Sequence, residues 1–331
     1  MTYPRFAIDQ DPLSVQCLAP PSTLERFEGV DFSSSGKILG IATADTNAVL
    51  LFRQTDDGRF EDAPYARIDG PASRLNYPHD VAFAMCGETE LLAVAQRAGA
   101  IVIYARSQES KTYGPAPVYE IMGPKSQLEF SDGVAFVPPH DQHLAVCNLT
   151  LATISFYRRL SVSPICFEVV PEFQLRHPSV VRPDGLAFSR CGRWLATANH
   201  GNNSVSVFQR RNKILAGGKL RYGPEPVTVI EDPEMRYPHS VAFAPETNHL
   251  IVTNAGANYF SVYEPKNHSF GVRWSQSPVQ QCVVGPEEAF REINDENNME
   301  GGAKGVAIHT NSIAVCSPEF GVRIYSFCRA F

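Results

Sequence analysis

Short runs of apolar residues, broken by turn residues, repeat six times along the chain. Each repeat opens on an inner segment such as Gly133-Val134-Ala135-Phe136, and two further runs rich in β-branched and aromatic residues follow it. No helical periodicity interrupts these runs, so we expect an all-β fold. A period of about 50 residues is typical of propellers and other repeat folds. The equivalent aliphatic residues of the six inner segments are Val30, Val81, Val134, Leu186, Val241 and Val306.

A fourth apolar run follows each of the first five triplets, and four strands per repeat make a propeller blade. The sixth triplet ends near Phe327, close to the C-terminus, while residues 13–17 near the N-terminus belong to no repeat. We therefore predict a single six-bladed β-propeller, closed by residues 13–17 pairing with Arg323–Phe327, because closure removes open sheet edges. The expected blades are 27–70, 77–123, 130–176, 182–231, 237–285 and 302–328, with an insertion at 285–304.

Composition narrows the choice of partners and compartment. The net charge of −6 and the lack of a basic cluster argue against nucleic acid and anionic membranes. No apolar run approaches the roughly 18 residues of a membrane helix, and residues 1–14 lack the pattern of a secretory signal, so we expect a cytoplasmic protein. The eight cysteines include no C-x-x-C pair and are expected to be reduced. No motif for a nucleotide or organic cofactor occurs.

One position of the repeat carries an ionisable residue in all six blades. It stands two residues before the inner aliphatic residue, where strand and turn meet at the central channel. A six-fold ring would place the residues of opposite blades face to face, and such a cluster of titratable groups in a channel is typical of a functional site. The alternative is structural, because Asp and similar side chains also bind turn amides. The candidate catalytic residues are Glu28, His79, Asp132, Asp184, His239 and Lys304.

A second set of polar residues ends the second strand of each repeat. These residues should lie on the same face as the ionisable ring and offer hydrogen-bonding groups to a ligand. The candidate substrate-binding residues are Asp45, Gln96, Asn148, Asn199, Asn254 and Ser317, with Arg97 and His200 one residue further along.

The segments 183–188 (PDGLAF) and 199–202 (NHGN) resemble lactonase-type propellers with YVTN- or NHL-like repeats. Glu28-Gly29 and Asp184-Gly185-Leu186 also resemble the positions at which six-bladed gluconolactonases hold a divalent ion. This resemblance implies a hydrolase with a bound cation, calcium being favoured, and the candidate ligands are Glu28, Asp132 and Asp184. Strictosidine-synthase-like propellers, which are also six-bladed, imply a channel acid that works without metal.

Three functions remain open at this point. The first is a metal-assisted hydrolase or lactonase acting on a small-molecule substrate, with His79 or His239 as general base. The second is a metal-free cyclase or isomerase of secondary metabolism that uses the same acids and histidines. The third is a non-catalytic scaffold that binds a protein partner. The insertion at 285–304 lies on the ring face and could form a lid hinged at Gly301-Gly302.

Overall fold

The six repeats form six antiparallel sheets around a ring, which confirms the predicted six-bladed β-propeller. The computed structural model describes residues 5–12, 14–18, 25–211, 219–268, 271–287 and 300–330. In these residues, no helix is long and apolar enough to cross a membrane. Two short 3₁₀ turns, Pro71–Ser73 and Pro124–Ser126, lie between strands.

The strands of each blade run from the channel outwards in chain order. Blade I contains Phe27–Phe32, Ile38–Thr43, Ala48–Arg53 and Ala66–Ile68. Blade II contains Pro78–Cys86, Thr89–Gln96, Ala100–Ala105 and Tyr119–Ile121. Blade III contains Ser131–Phe136, His143–Asn148, Thr153–Val162 and Phe173–Leu175, and Ile165–Phe167 pairs with the far end of its third strand.

Blade IV contains Pro183–Phe188, Trp194–Asn199, Ser204–Arg210 and Tyr222–Ile230. Blade V contains Pro238–Phe243, Leu250–Asn254, Tyr259–Tyr263 and Gln280–Val283, and carries a separate hairpin of Pro265–His268 with Gly271–Trp274. Blade VI contains Val306–His309, Ser312–Ser317 and Gly321–Ala330, and its remaining strands come from the N-terminal segment.

The hydrophobic core is divided among the interfaces between blades. Each cluster of buried apolar side chains draws on two neighbouring blades, as Leu51 of blade I and Val94 of blade II do in one of them. Both side chains are fully buried. Since every blade buries its two faces against its neighbours, the last blade must be completed for the ring to be stable.

Two N-terminal strands complete blade VI. Gln16–Leu18 pairs with Val322–Ile324, and Arg5–Ile8 pairs with Phe327–Ala330. Closure by the N-terminus is therefore confirmed, but through a longer and divided strand than residues 13–17. Of that predicted strand, Leu13 lies outside the described residues. The extra strand Arg5–Ile8 extends the pairing to the end of blade VI.

Two aspartates join the inner strands of neighbouring blades. Asp31 Oδ2 accepts a hydrogen bond from the Phe83 amide at 2.8 Å, and Asp80 Oδ2 accepts one from the Val134 amide at 3.0 Å. Both carboxyl groups border a cavity of about 280 Å³ that residues of all six inner strands line. These bonds fix the spacing of blades I, II and III around the channel.

Removing the N-terminal strands should destabilise the propeller. A chain that begins at Glu25 lacks Phe6, Ile8 and Leu18, which are 8%, 5% and 1% exposed. Burial of each such side chain is worth about 1.5–3 kcal/mol, so we expect the thermal midpoint measured by calorimetry to fall by several degrees. A chain that begins at Arg5 keeps both strands and is the control. Equal midpoints for the two shortened chains would contradict closure by the N-terminus.

Candidate active site in the central channel

The six ionisable residues converge at one end of the channel. In blades I to V, the pairing of the first two strands is interrupted at this point, between Pro183 and Leu186 in blade IV for example. An irregularity of this kind re-aims the side chain that it carries. All six side chains are buried, with residue exposures of 0–3%: Glu28, His79, Asp132, Asp184, His239 and Lys304.

Glycine follows the ionisable residue in most blades because the inner strands approach each other closely there. A Cβ atom on Gly133 would lie 2.3 Å from the carbonyl oxygen of Asp184, and one on Gly185 would lie 2.6 Å from that of His239. Both distances are too short for any side chain. The Asp-Gly pairs of the sequence thus reflect the packing of the ring as well as its chemistry.

The two ring histidines face each other across the channel. The imidazoles of His79 and His239 are stacked with their centroids 5.0 Å apart and an interplanar angle of 25°. Glu28 Oε2 lies 3.5 Å from His79 Nε2 and 3.3 Å from His239 Nε2. The pairing of opposite blades predicted from the repeat therefore describes the histidines correctly.

Lys304 pairs with a neighbouring blade rather than with Asp132 opposite. Its Nζ lies 2.7 Å from Glu28 Oε2 and 3.2 Å from Glu300 Oε2. Arg26 forms ion pairs with both of these glutamates. Burial opposes the charge of Glu28, but the interactions with its neighbours, led by that with Lys304, outweigh it and hold the pKa of Glu28 well below 4.5. Burial likewise opposes the charge of Glu300, and Lys304 lowers its pKa to about 2.

Asp132 has a cation of its own. Arg97 donates from Nε to Asp132 Oδ1 at 2.9 Å and from a terminal nitrogen to Oδ2 at 3.4 Å. Burial raises the pKa of Asp132 to about 6 although Arg97 opposes the rise, so the carboxylate is ionised at pH 7. The sequence analysis placed Arg97 among the substrate-binding residues, and the structure brings it into the ionic network.

Asp184 is the acid without such a partner. Burial, and then the nearby Asp132 carboxylate, raise the pKa of Asp184 well above 3.8. Its oxygens lie 3.7 Å from His239 Nε2 and 3.8 Å from His200 Nδ1, and neither approach is a hydrogen bond. Asp184 is therefore the carboxyl group of the cluster that most favours its protonated form.

The two facing histidines differ in how their nitrogens are used. His79 Nδ1 lies 3.1 Å from the Asp132 carbonyl oxygen, which can only accept, so Nδ1 carries the proton. His79 Nε2 then accepts from Arg97 at 2.9 Å. Burial, and then Arg97, lower the pKa of His79 well below 6.5. His79 is thus held neutral with both nitrogens engaged, whereas His239 Nε2 is buried without a hydrogen bond among the described residues.

The charges of the cluster balance without a metal ion. Asp184 favours the neutral form, and burial lowers the pKa of each of the three histidines His79, His200 and His239. The remaining ionised carboxylates are Glu28, Asp132 and Glu300, and the cations that contact them are Lys304, Arg26 and Arg97.

The same contacts bear on the expected calcium site. Two groupings of described residues have donor atoms close enough to share an ion, Glu28 with His79 and His239, and His79 with Asp132 and Asp184. Both include His79, whose nitrogens are engaged, and calcium prefers six to eight oxygen ligands. The three expected ligands Glu28, Asp132 and Asp184 form no such grouping by themselves. The donor set as arranged does not fit calcium.

The second ring mainly serves the blades themselves. Asn148 donates to Thr153 and Ser155 and accepts from the Glu129 amide, and Asn254 repeats the pattern with Tyr259, Ser261 and Arg236. Asn199 donates to Ser204 and Ser206, Gln96 accepts from the Asn76 amide, and Ser317 donates to the Gly301 carbonyl. Their side chains therefore join strand ends to the adjoining turns.

Asp45 requires a correction within this ring. Phe27 of blade I pairs with Thr43, as Pro183 of blade IV pairs with Asn199, so Thr43 is the equivalent residue. Thr43 is buried, whereas Asp45 is exposed in the following turn. The sequence analysis placed the end of the second strand of blade I two residues too late, since that strand ends at Thr43.

The end of the 285–304 insertion belongs to the cluster. Residues 288–299 of the insertion lie outside the described residues. Glu300 contacts Arg26, Lys304 and His200. Gly302 donates its amide to the Ala255 carbonyl, and a Cβ atom on it would lie 1.9 Å from the Ala257 carbonyl oxygen. Gly302 is thus a tightly packed anchor rather than the free hinge that the sequence suggested.

Arg26 and Glu300 are the cluster residues that the sequence analysis missed. Arg26 precedes the ring residue Glu28 by two positions, and Glu300 precedes Lys304 by four. The feature of the sequence that could have identified them is a charged residue close to a ring position. Glu300 belongs to no repeated position, and its contact with Arg26 spans most of the chain.

Comparison with known proteins finds a family match over part of the chain and similar folds among solved structures. Residues 174–280 match the family model described as "Lactonase, 7-bladed beta-propeller", a stretch of less than half the chain that includes Asp184, His200 and His239. No curated protein matches.

Solved structures of similar fold are far apart in sequence. U3-55K is 10% identical, with a TM-score of 0.59 over 96% of this chain and 100% of that chain. The RRP9 WD40 repeats are 10% identical, with a TM-score of 0.59 over 97% and 100%. The Cps50 (Swd1) β-propeller domain of Myceliophteria thermophila is 11% identical, with a TM-score of 0.55 over 94% and 99%. At such identities the likeness establishes the propeller fold alone.

Proposed function

We propose that this chain is an enzyme of small-molecule metabolism that hydrolyses a lactone or related ester by acid–base chemistry without a metal ion. The observation that carries the proposal is the contact of Asp184 with His239, a carboxyl group that favours its proton beside an imidazole that burial keeps neutral. An acid and a base of opposite protonation state in one buried site are what proton transfer in catalysis needs. The lactonase-type match covers the segment that supplies both residues.

The reaction can be written with these two residues alone. The neutral imidazole of His239 takes a proton from water as the water oxygen attacks the carbonyl carbon. Asp184 gives its proton to the ring oxygen as the carbon–oxygen bond breaks, and the product is a hydroxy acid. Transfer of the proton from His239 to Asp184 over 3.7 Å then restores both groups. Arg97, whose side chain is 19% exposed, is the cation best placed to stabilise the oxyanion.

A second candidate uses the same pair without water. The ring side chains are almost completely buried, which favours a reaction from which water is excluded. In a cyclase or isomerase, His239 would remove a proton from the substrate and Asp184 would supply one at another atom. His79 has no direct step in either reaction, since both of its nitrogens are engaged, and it serves instead to hold Asp132 and Arg97 in place.

Replacement of the proton-transfer pair should abolish activity while the propeller stays folded. We expect Asp184→Asn and His239→Gln each to lower kcat by about 10²–10⁴-fold, measured on dihydrocoumarin and γ-butyrolactone. Asp45→Asn, at an exposed turn position, is the matched control and should keep full activity. Wild-type turnover should persist after exhaustive treatment with a chelator.

Two results would contradict this assignment. Activity that is lost on chelation and restored by calcium would return the function to the metal-assisted lactonase. Full activity in Asp184→Asn, or variants that lose stability but not turnover, would show that these residues are structural. A folded wild-type protein without turnover on any lactone, ester or isomerisable substrate would favour the protein-binding scaffold.

The neutral histidines also predict how stability depends on pH. Burial, and then His239, lower the pKa of His200 from 6.5 to about 4. Between these values the unfolded chain binds a proton that the folded chain does not, so stability falls as pH decreases from about 6.5 to 4, by up to about 1.4 kcal/mol per pH unit. We expect His200→Gln to flatten this slope in urea unfolding at pH 7, 5.5 and 4.5. His177→Gln, outside the cluster, controls for the loss of a histidine, and parallel curves for wild type and His200→Gln would contradict the neutral state.

A further inference from the structure

A second repeated position surrounds the ionisable cluster on its outer side. It lies two residues before each ring residue, and we name these side chains the collar. Four of them adopt left-handed backbone conformations, with φ of 57° at Tyr77, 50° at Phe130, 48° at Arg182 and 47° at Tyr237. The collar residues are Arg26, Tyr77, Phe130, Arg182, Tyr237 and, in blade VI, Gly302.

A backbone hydrogen bond accompanies the left-handed conformation. The collar carbonyl accepts from the amide that follows the second strand of its blade, as Tyr77 does from Arg97 at 3.1 Å and Arg182 from His200 at 3.2 Å. Phe130 and Tyr237 make the equivalent bonds at 3.0 Å. The bond does not explain the side chains, because glycine or asparagine fits this conformation best.

The residues actually present are costly at such a position. A bulky residue in the left-handed region is disfavoured because its Cβ atom crowds the following carbonyl oxygen, and strain of this kind tends to be retained at functional sites. Four collar positions nevertheless carry bulky residues in this conformation: two tyrosines, a phenylalanine and an arginine. What these side chains contact is therefore informative.

The collar lies directly over the proton-transfer cluster. The Arg97 guanidinium lies over the rings of Tyr77 and Phe130, 5.6 Å from each centroid. The Tyr237 ring contacts His200 with centroids 4.9 Å apart, and His200 borders Asp184. Phe130 is 44% exposed, although it is a large apolar side chain. Aromatic faces thus form the solvent side of the site.

Arg182 gives the collar a free positive charge. Its side chain is exposed and, among the described residues, makes no ion pair or hydrogen bond. The other two guanidinium groups nearby, those of Arg26 and Arg97, already contact carboxylates of the cluster. Arg182 also lies near enough to His200 to act on its charge. A ligand that reaches Asp184 and His239 therefore passes aromatic faces and an uncompensated guanidinium.

We propose that the collar binds the substrate as a planar, unsaturated carboxylate, with its conjugated part on the aromatic faces of Phe130 and Tyr237 and its carboxylate on Arg182. This inference rests on the proposed function, because it places that ligand over the Asp184–His239 pair. Guanidinium groups pair with carboxylates in a bidentate manner, and aromatic faces favour flat conjugated groups. The substrate class is thus a conjugated or aryl carboxylic acid that carries the reacting ester or lactone.

Binding of simple probes to the full chain tests the collar. We expect cinnamate to bind saturably in calorimetric titration, and cinnamamide, which lacks the charge, and 3-cyclohexylpropionate, which lacks the planar group, to bind at least about tenfold more weakly. Arg182→Asn should weaken cinnamate by about 10–100-fold. Arg190→Asn, in the same blade, is the matched control and should bind as wild type does, since Arg190 is exposed beside Glu246 in the turn between the first two strands. No saturable binding of cinnamate, or equal binding by Arg182→Asn, would overturn the proposal.

The backbone conformation supplies an independent readout. Because asparagine suits the left-handed region, Arg182→Asn and Phe130→Asn should leave the thermal midpoint unchanged or raise it while they weaken cinnamate binding. A fall of more than about 2 °C in both variants, with binding retained, would show that the side chains are structural. Cinnamate binding needs no turnover, so Asp184→Asn should still bind it. The collar and the acid–base chemistry can therefore fail separately.

Discussion

A charge buried at the axis of a propeller needs an opposite charge, because moving an isolated ion out of water costs several kcal/mol even after relaxation. Six inner strands bring six ionisable side chains to one level of the channel, all of them nearly inaccessible to water. The ion pair of Lys304 with Glu28, at 2.7 Å, is the central contact that supplies this opposite charge. Arg26, Arg97 and Glu300 then bring the ionised groups into balance, which leaves Asp184 to keep its proton and the histidines to stay neutral.

This balance determines what chemistry the channel can do. If the acids were uncompensated, a divalent cation would be the natural counter-charge, as in the metal-dependent propellers that the sequence resembles. Here the side chains of Lys304, Arg26 and Arg97 supply the positive charge. Both nitrogens of His79 are already engaged, Nδ1 with the Asp132 carbonyl and Nε2 with Arg97. In the proposed reaction, Asp184 and His239 are then the residues that transfer protons. The fold contributes by closing the ring, since the N-terminal strands complete blade VI, which carries Lys304 at the start of its inner segment.

The sequence predicted the architecture well because the blades of a propeller repeat one strand pattern at a nearly regular spacing along the chain. Six equivalent aliphatic residues and an unused N-terminal segment were enough for the blade number and the closure, and the same alignment located the ring residues.

Partner choice was not predictable in this way. Lys304 contacts Glu28 rather than Asp132, and Arg97 serves Asp132, because side-chain length and direction decide among several neighbours on a crowded axis. Asp45 was placed in the second ring in error because the sequence does not mark that the second strand of blade I already ends at Thr43. Gly302 was taken for a hinge because the packing around a glycine is not visible in the sequence.

The protonation state of Asp184 tests the central claim most directly. An infrared difference spectrum between the wild type and Asp184→Asn at pH 7 isolates the absorption of this one carboxyl group. A charge-balanced cluster without metal predicts the carbonyl band of a protonated acid in the wild type and its loss in the variant. A difference spectrum that shows only the bands of an ionised carboxylate would contradict the account, because Asp184 would then carry a charge that the described cations do not neutralise.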